Sequence, residues 1–167
     1  MPEAFAKFHP PHARVHPIRV TSRWYSLAEQ TRLAAQVSQL PLDVLHVPHF
    51  NAPLLCRHPL VVTIHDITPK FFPGPRVQHS RLRRAAYEFV LRGALRRSRR
   101  IIVDSRHTAV LLASHYRVPE SKVDVIYLGI SPAFHDGVKY GIVKTLRQRF
   151  GITGDYLFYT GVWRDHK

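Results

Sequence analysis

Acidic residues are scarce in this sequence. Eleven Asp and Glu stand against twenty-five Lys and Arg among 167 residues, a formal net charge of +14 before any of the twelve histidines takes up a proton. Such a balance favours anionic partners: nucleic acid, anionic lipid or phosphorylated ligands. Cysteine is scarcer still. With Cys56 alone, no intrachain disulfide can form and no cysteine cluster can hold zinc; the residue reads as an inert thiol. Long apolar runs are missing too, since no stretch approaches the roughly 20 residues needed to span a bilayer. Met1 to Val20 lacks the apolar region of a secretory signal. These absences fit a cytoplasmic location. There is also no internal repeat and no low-complexity tract.

What is present is a repeated strand grammar. Leu60-Val61-Val62-Thr63-Ile64 is a short apolar run that ends in His65 and Asp66 and lies between Pro59 and Pro69. A run of this length and composition reads as a strand buried on both faces. The pattern recurs at Asp43 to Val47, followed by His49 and Asn51. It recurs again at Arg100 to Val103, followed by Asp104 and Ser105, and at Val123 to Tyr127, followed by Gly129. In an open parallel sheet, ligands bind just beyond the carboxyl ends of the strands. Hydrophobic content of 45% supports a real core.

Between these strands the helices announce themselves by their caps. Ser26-Leu27-Ala28-Glu29 is a capping box that opens a helix to about Gln39, stopped by Pro41. Ser80 opens a long helix to about Arg99. On a helical wheel Arg81, Arg84, Arg92, Arg96 and Arg99 share one side, and Leu82, Ala86, Val90 and Gly93 another; Arg83 and Arg97 fall nearer the apolar side. The simpler reading is a sheet-packing helix with a solvated basic face; the sharper one adds contact with anionic lipid headgroups. Ser105 caps a helix to about Tyr116. A last helix, from about Ile142 to Phe150, closes at Gly151. Val15 to Val20 and Tyr156 to Thr160 read as further strands, the first weakened by Pro17. Thr68 to Pro75 reads as a loop, with Phe71 and Phe72 semi-exposed, and residues 1–13 as a loose start. The order β-α-β-β-α-β-α-β-α-β predicts an α/β fold: a Rossmann-like three-layer sandwich with a mainly parallel sheet.

Several of these segments, in order, carry a likeness. Trp24 to Gln30, Asp43 to Pro53, Val62 to Asp66, Val103 to Ser105, Val125 to Ile130 and Tyr159 to Lys167 resemble the amino-terminal half of family-four retaining glycosyltransferases and the start of their second domain. The likeness runs from about Ile18 to Lys167. It implies one half of a GT-B fold: residues 1–150 as an acceptor-binding domain and 151–167 as the start of a donor-binding one. It also implies a nucleotide sugar as donor substrate and a glycan or lipid-linked acceptor, in the synthesis of cell-surface polysaccharide, with no cofactor and no metal. His65 matches the histidine that lies near the transferred sugar. Lys167, with Arg164, matches the contacts to the donor diphosphate, and Gly161 and Gly129 stand on the donor side. The family's arginine after the glycine is absent at Val162, where Arg164 is the substitute. The family's first glycine-rich loop is not found upstream of Ile18, and its pair of donor-domain glutamates is not found in this sequence.

The residues themselves leave simpler readings beside these. His65 at a strand end could hydrogen-bond a sugar hydroxyl, with Asp66 fixing its tautomer; it could equally be a packed histidine. His49 and Asn51 suit a polar loop lining an acceptor cleft, with Glu29 and Ser105 as further acceptor candidates that also serve as caps. Asp104 reads as structural and Gly129 as a tight turn. His46 and His49 are three apart, but Pro48 separates them and no third ligand is evident. A second function class remains, a basic non-catalytic module for nucleic acid or anionic surfaces. No helix-turn-helix and no aromatic-basic sheet pattern supports nucleic acid. The strand grammar makes one spatial demand: His46, His65, Asp104 and Gly129 should lie at or just past the carboxyl ends of their strands, on a single sheet edge.

Overall fold

The computed structural model describes residues 14–23, 25–72, 80–134 and 140–161. Four short strands form one sheet: β1 (Leu45–Val47), β2 (Leu60–Ile64), β3 (Arg100–Val103) and β4 (Val123–Val125). They lie in chain order and every pairing is parallel. Register is set by Leu45 against Leu60, Val62 against Ile101 and Val103 against Val125. The fold is α/β and Rossmann-like, as the strand grammar predicts.

Five helices accompany the sheet among the described residues. α1 begins as a π-helical stretch, Glu29–Leu33, and continues as α-helix over Ala34–Ser38. α2 (Thr68–Phe71) is a single turn, α3 (Arg81–Arg97) the longest, α4 (Arg106–Tyr116) shorter, and α5 is Tyr140–Arg149. The caps are those that the sequence announces. The Ser80 hydroxyl accepts from the Arg83 amide and the Ser105 hydroxyl from the Thr108 amide. At the far end of α5, Gly151 takes φ 65°, and the Ile152 amide bonds back to the Arg147 carbonyl. A left-handed residue in that place is where glycine loses least. No helix among the described residues is long and apolar enough to cross a membrane.

The main core lies on one face of the sheet. Alternation puts Val62 and Ile64 of β2 beside Ile101 and Val103 of β3. Leu91 and Leu95 of α3, Leu112 of α4, and Ile67 and Val118 from the connections cover them. A smaller cluster, Ala52, Leu60 and Ala94, extends the core toward β1. Gly93 lets the loop between β1 and β2 approach α3; a Cβ there would stand 2.5 Å from Leu54 Cδ1. α1 is tied to the same loop. Gln30 donates to the Ala52 carbonyl at 3.0 Å and accepts from the Leu54 amide at 2.9 Å.

The structure corrects several expectations. Val15 to Val20 is not a strand: residues 14–20 are exposed, and Pro17 removes a ladder donor. The Arg19 carbonyl there accepts from Gln36 instead. Tyr156 to Thr160 is not a strand either; Leu157 and Phe158 stand in solvent. An apolar run becomes a strand only where a neighbour takes up its amides and carbonyls. The supposed loop after β2 begins with α2, because the Asp66 carboxylate accepts from the Thr68 amide at 2.8 Å and Pro69 sits at the helix start. Pro75 lies outside the described residues. Gly129 has no positive φ and no atom within 4 Å of where a Cβ would be, so no tight turn requires it.

The buried side of α3 also differs from the wheel. Leu82 is 80% exposed and Ala86 is exposed too, whereas Leu91, Ala94, Leu95 and Ser98 are buried. The sheet sees only the carboxyl half of the helix, so the wheel centred on the whole segment is rotated. Arg97 does turn inward, donating to the His58 carbonyl at 3.0 Å. Leu91→Ala should therefore cost about 2–5 kcal/mol in urea unfolding, and Leu82→Ala no more than roughly 0.5 kcal/mol. Equal losses would mean that the amino half of α3 is packed as well.

Candidate functional site

Parallel strands bring their carboxyl ends to one edge. His65 leaves the end of β2 and Asp104 the end of β3, and the two meet there. His65 Nδ1 lies 3.0 Å from Asp104 Oδ2, and Nε2 lies 3.2 Å from the Pro48 carbonyl after β1. One imidazole thus spans three strand ends. Its ring is half exposed while Asp104 is largely covered. The backbone of His65 is held as well, since the buried Thr108 hydroxyl at the start of α4 donates to its carbonyl at 3.1 Å.

Both neighbours of the His65 ring are acceptors, a carboxylate and a carbonyl. A neutral imidazole carries one N–H. In the neutral form the carboxylate, as the stronger acceptor, takes Nδ1–H, and the Nε2 lone pair is left facing the Pro48 oxygen. That contact is uncompensated, and an incoming hydroxyl could donate to Nε2 in its place.

A second group lies on the β1 side. The Glu29 carboxylate accepts from the Tyr25 amide at 2.7 Å and from the Asn51 side-chain amide. The capping box therefore closes one residue earlier than a regular one, because Tyr25 sits at φ 56° and turns its amide toward Glu29. The His49 ring lies 4.4 Å from that of Phe50, and Tyr25 approaches both. Phe50 in turn meets Tyr87 of α3 edge-on at 4.9 Å. The Tyr87 hydroxyl is buried with no hydrogen-bond partner among the described residues. Burial, then the nearby carboxylates beginning with Glu88, push its pKa up, so it remains a phenol.

The expected site residues fall into three sets. His65, His49, Asn51 and Glu29 gather at the carboxyl edge, as does Ser105, but the Ser105 hydroxyl is engaged by the amide and hydroxyl of Thr108. Asp66 does not fix the His65 tautomer; its carboxylate caps α2 and Asp104 takes that place. His46 is the middle residue of β1 rather than a residue past its end, and bonds Thr63 across the sheet at 2.8 Å. Gly129 lies four residues beyond β4 in open solvent and Gly161 is exposed beside the Tyr159 ring. Arg164 and Lys167 lie outside the described residues. Among the described residues no group of three His, Cys, Asp or Glu could hold a metal ion.

Thr108, Tyr25 and Tyr87 were not singled out by sequence, and Asp104 was placed at this edge but read as structural. For Asp104 the signal was present: it follows β3 just as His65 follows β2, and adjacent parallel strands place such residues side by side. Tyr25 and Tyr87 gave none, since their rings are brought in by the packing of α1 and α3.

A family model described as Glycosyltransferase Family 4 matches residues 2–134. No curated protein matches the chain.

The two histidines at this edge are electrostatically linked. Burial, and then the neighbouring His65, lower the pKa of His49, while Asp66 and Glu29 pull it back up. Unfolded, His49 protonates near its ordinary value of about 6.5; folded, it resists. The unfolded state thus binds more protons as the pH drops below that value, and stability falls. Between about pH 7.5 and 5.5 the parent chain should lose more stability than His49→Gln in urea melts. In a proton NMR titration, His65→Ala should raise the His49 midpoint. Identical pH slopes together with an unmoved midpoint would show that the two rings are independent.

Proposed function

The chain belongs to glycosyltransferase family 4, and from that premise we propose that it is the acceptor-binding half of a retaining GT-B enzyme. Such an enzyme moves a sugar from a nucleotide-sugar donor to a glycan or lipid-linked acceptor, in the synthesis of cell-surface polysaccharide. Residues 1–150 would form the acceptor domain and 151–167 the first part of a donor domain. The observation that carries this reading is the His65–Asp104 pair at the carboxyl edge of the sheet. Ligands of open α/β sheets bind at that edge.

The roles follow from the chemistry. A retaining transfer develops positive charge on the sugar ring and negative charge on the leaving diphosphate. His65 would take a hydroxyl of the transferred sugar at Nε2, held in orientation by Asp104; Asp66 would act only through the turn that it caps. His49 and Asn51, with Glu29 locking Asn51 and Ser105 shaping the turn below, would line the acceptor cleft. Tyr25 and Phe50 add an aromatic wall, with the Tyr87 ring packed edge-on behind Phe50. Lys167 and Arg164, with Gly161 and Gly129 on the donor side, would clamp the diphosphate. On this reading the transfer uses no cofactor and no metal. The remaining donor contacts would come from a donor-binding domain, so the 167-residue chain by itself should turn over little or nothing.

A cytoplasmic site at the inner face of the membrane suits a lipid-linked acceptor. Supporting it, the outer side of α3 exposes Leu82 and Phe89 together with Arg81 and Arg84. Apolar and basic side chains on one helix face are what an anionic lipid surface attracts, each cation contributing about 1 kcal/mol. Vesicle flotation should show binding to anionic but not neutral liposomes, lost at high salt; equal binding to both would remove the membrane from this account.

Transfer itself is best tested with the chain joined to a donor-binding domain. There His65→Ala should lower kcat and kcat/KM together, on the order of 10²-fold, since the contact strengthens as charge develops. Its melting temperature should barely move, because a half-exposed ring supports little core. A packed structural histidine gives the reverse pattern, and normal turnover at saturating donor would take His65 out of the site.

A further inference from the structure

A cavity of about 710 Å³ lies between the carboxyl-terminal halves of α3 and α4. Each of these helices starts after a strand's carboxyl end and returns to the amino end of the next strand. The cavity is therefore at the edge opposite His65, apart from the transfer site. Its lining includes Arg92, Arg96, Arg117 and Lys122 beside Tyr116 and Val118, and no lining residue is acidic.

The plain explanation for these cations is that they offset the two helix ends. Each helix carboxyl terminus carries roughly half a negative charge, so two amount to about one. Lys122 does serve this purpose, donating to the Leu95 and Arg96 carbonyls at 2.6 and 2.9 Å. Arg92 is paired with Glu88 at 3.1 Å. Arg96 and Arg117 remain: neither guanidinium has a partner among the described residues, and together they exceed what the helix ends require.

Arg117 makes the case sharper. It holds the left-handed conformation that ends α4, φ 54° and ψ 36°. That position favours glycine, and any other residue there carries strain. An arginine that stands where glycine would be easier, with its charge on a cavity wall beside a second guanidinium unpaired among the described residues, points to something that the two bind. Arginine forks match phosphate oxygens, and the apolar floor beside them accommodates an uncharged neighbour of the phosphate.

We propose that this cavity is a binding site for a phosphate group, presented either by a soluble phosphorylated molecule or by an anionic lipid headgroup. The inference does not depend on sugar transfer and is tested without any activity assay. The 167-residue chain, Arg117→Gly and Arg96→Gln are titrated with inorganic pyrophosphate by calorimetry. Each is also sedimented with vesicles of phosphatidylglycerol in phosphatidylcholine. The parent chain should bind at least one probe, and both variants should bind it roughly 10-fold or more weakly, the loss of one charge-assisted contact. Arg117→Gly should at the same time melt higher than the parent, which separates lost binding from lost fold. Loss confined to pyrophosphate identifies a soluble ligand; loss on vesicles identifies the headgroup. Absence of binding to either probe, or variants that bind as the parent does, would overturn the site.

Discussion

Four strands that run the same way must deliver their carboxyl ends to the same edge, and everything functional in this chain depends on that constraint. Parallel pairing of β1, β2 and β3 sets the Pro48 carbonyl and the Asp104 carboxylate within hydrogen-bonding reach of the His65 ring, although the three are scattered over more than fifty positions of sequence. The pairing is enforced by the core: Val62, Ile64, Ile101 and Val103 are buried beneath α3 and α4. A one-residue slip would turn them to the opposite face and carry the strand ends with them. Register, core and site are thus a single decision.

How much of this was legible in the sequence follows from the range of the forces involved. Caps act over three or four residues, so Ser80, Ser105, the Ser26–Glu29 box and Gly151 could be read directly. Short apolar runs ending in polar residues gave the four strands. What failed depended on neighbours that sequence does not name. Tyr156 to Thr160 has the composition of a strand but joins no sheet among the described residues. The buried stripe of α3 is set by where the sheet meets it, not by the average of its own residues. Asp66 adjoins His65 in the chain and looked like its partner. In a strand, however, successive side chains point to opposite faces, and the residue that meets His65 is the one at the same level of the next strand, Asp104.

The charge of +14 resolves into distinct places rather than a uniform coat. Part of it is spent on structure, as where Arg97 and Lys122 satisfy backbone carbonyls. Part lies on the outer side of α3 with Leu82 and Phe89. Part faces the cavity between α3 and α4. An anionic partner is the common expectation, and the two edges of the sheet divide the work: histidines and aromatics at one, guanidinium groups at the other.

The central claim is that His65 and Asp104 act as one unit at the carboxyl edge, and a double-mutant cycle on turnover tests it most directly. In the chain joined to a donor-binding domain, kcat is measured for His65→Ala, Asp104→Ala and the pair. A positioning carboxylate has nothing to position once the imidazole is gone, so the double variant should be no slower than His65→Ala alone. Losses that multiply would show that the two residues act independently and would contradict the account.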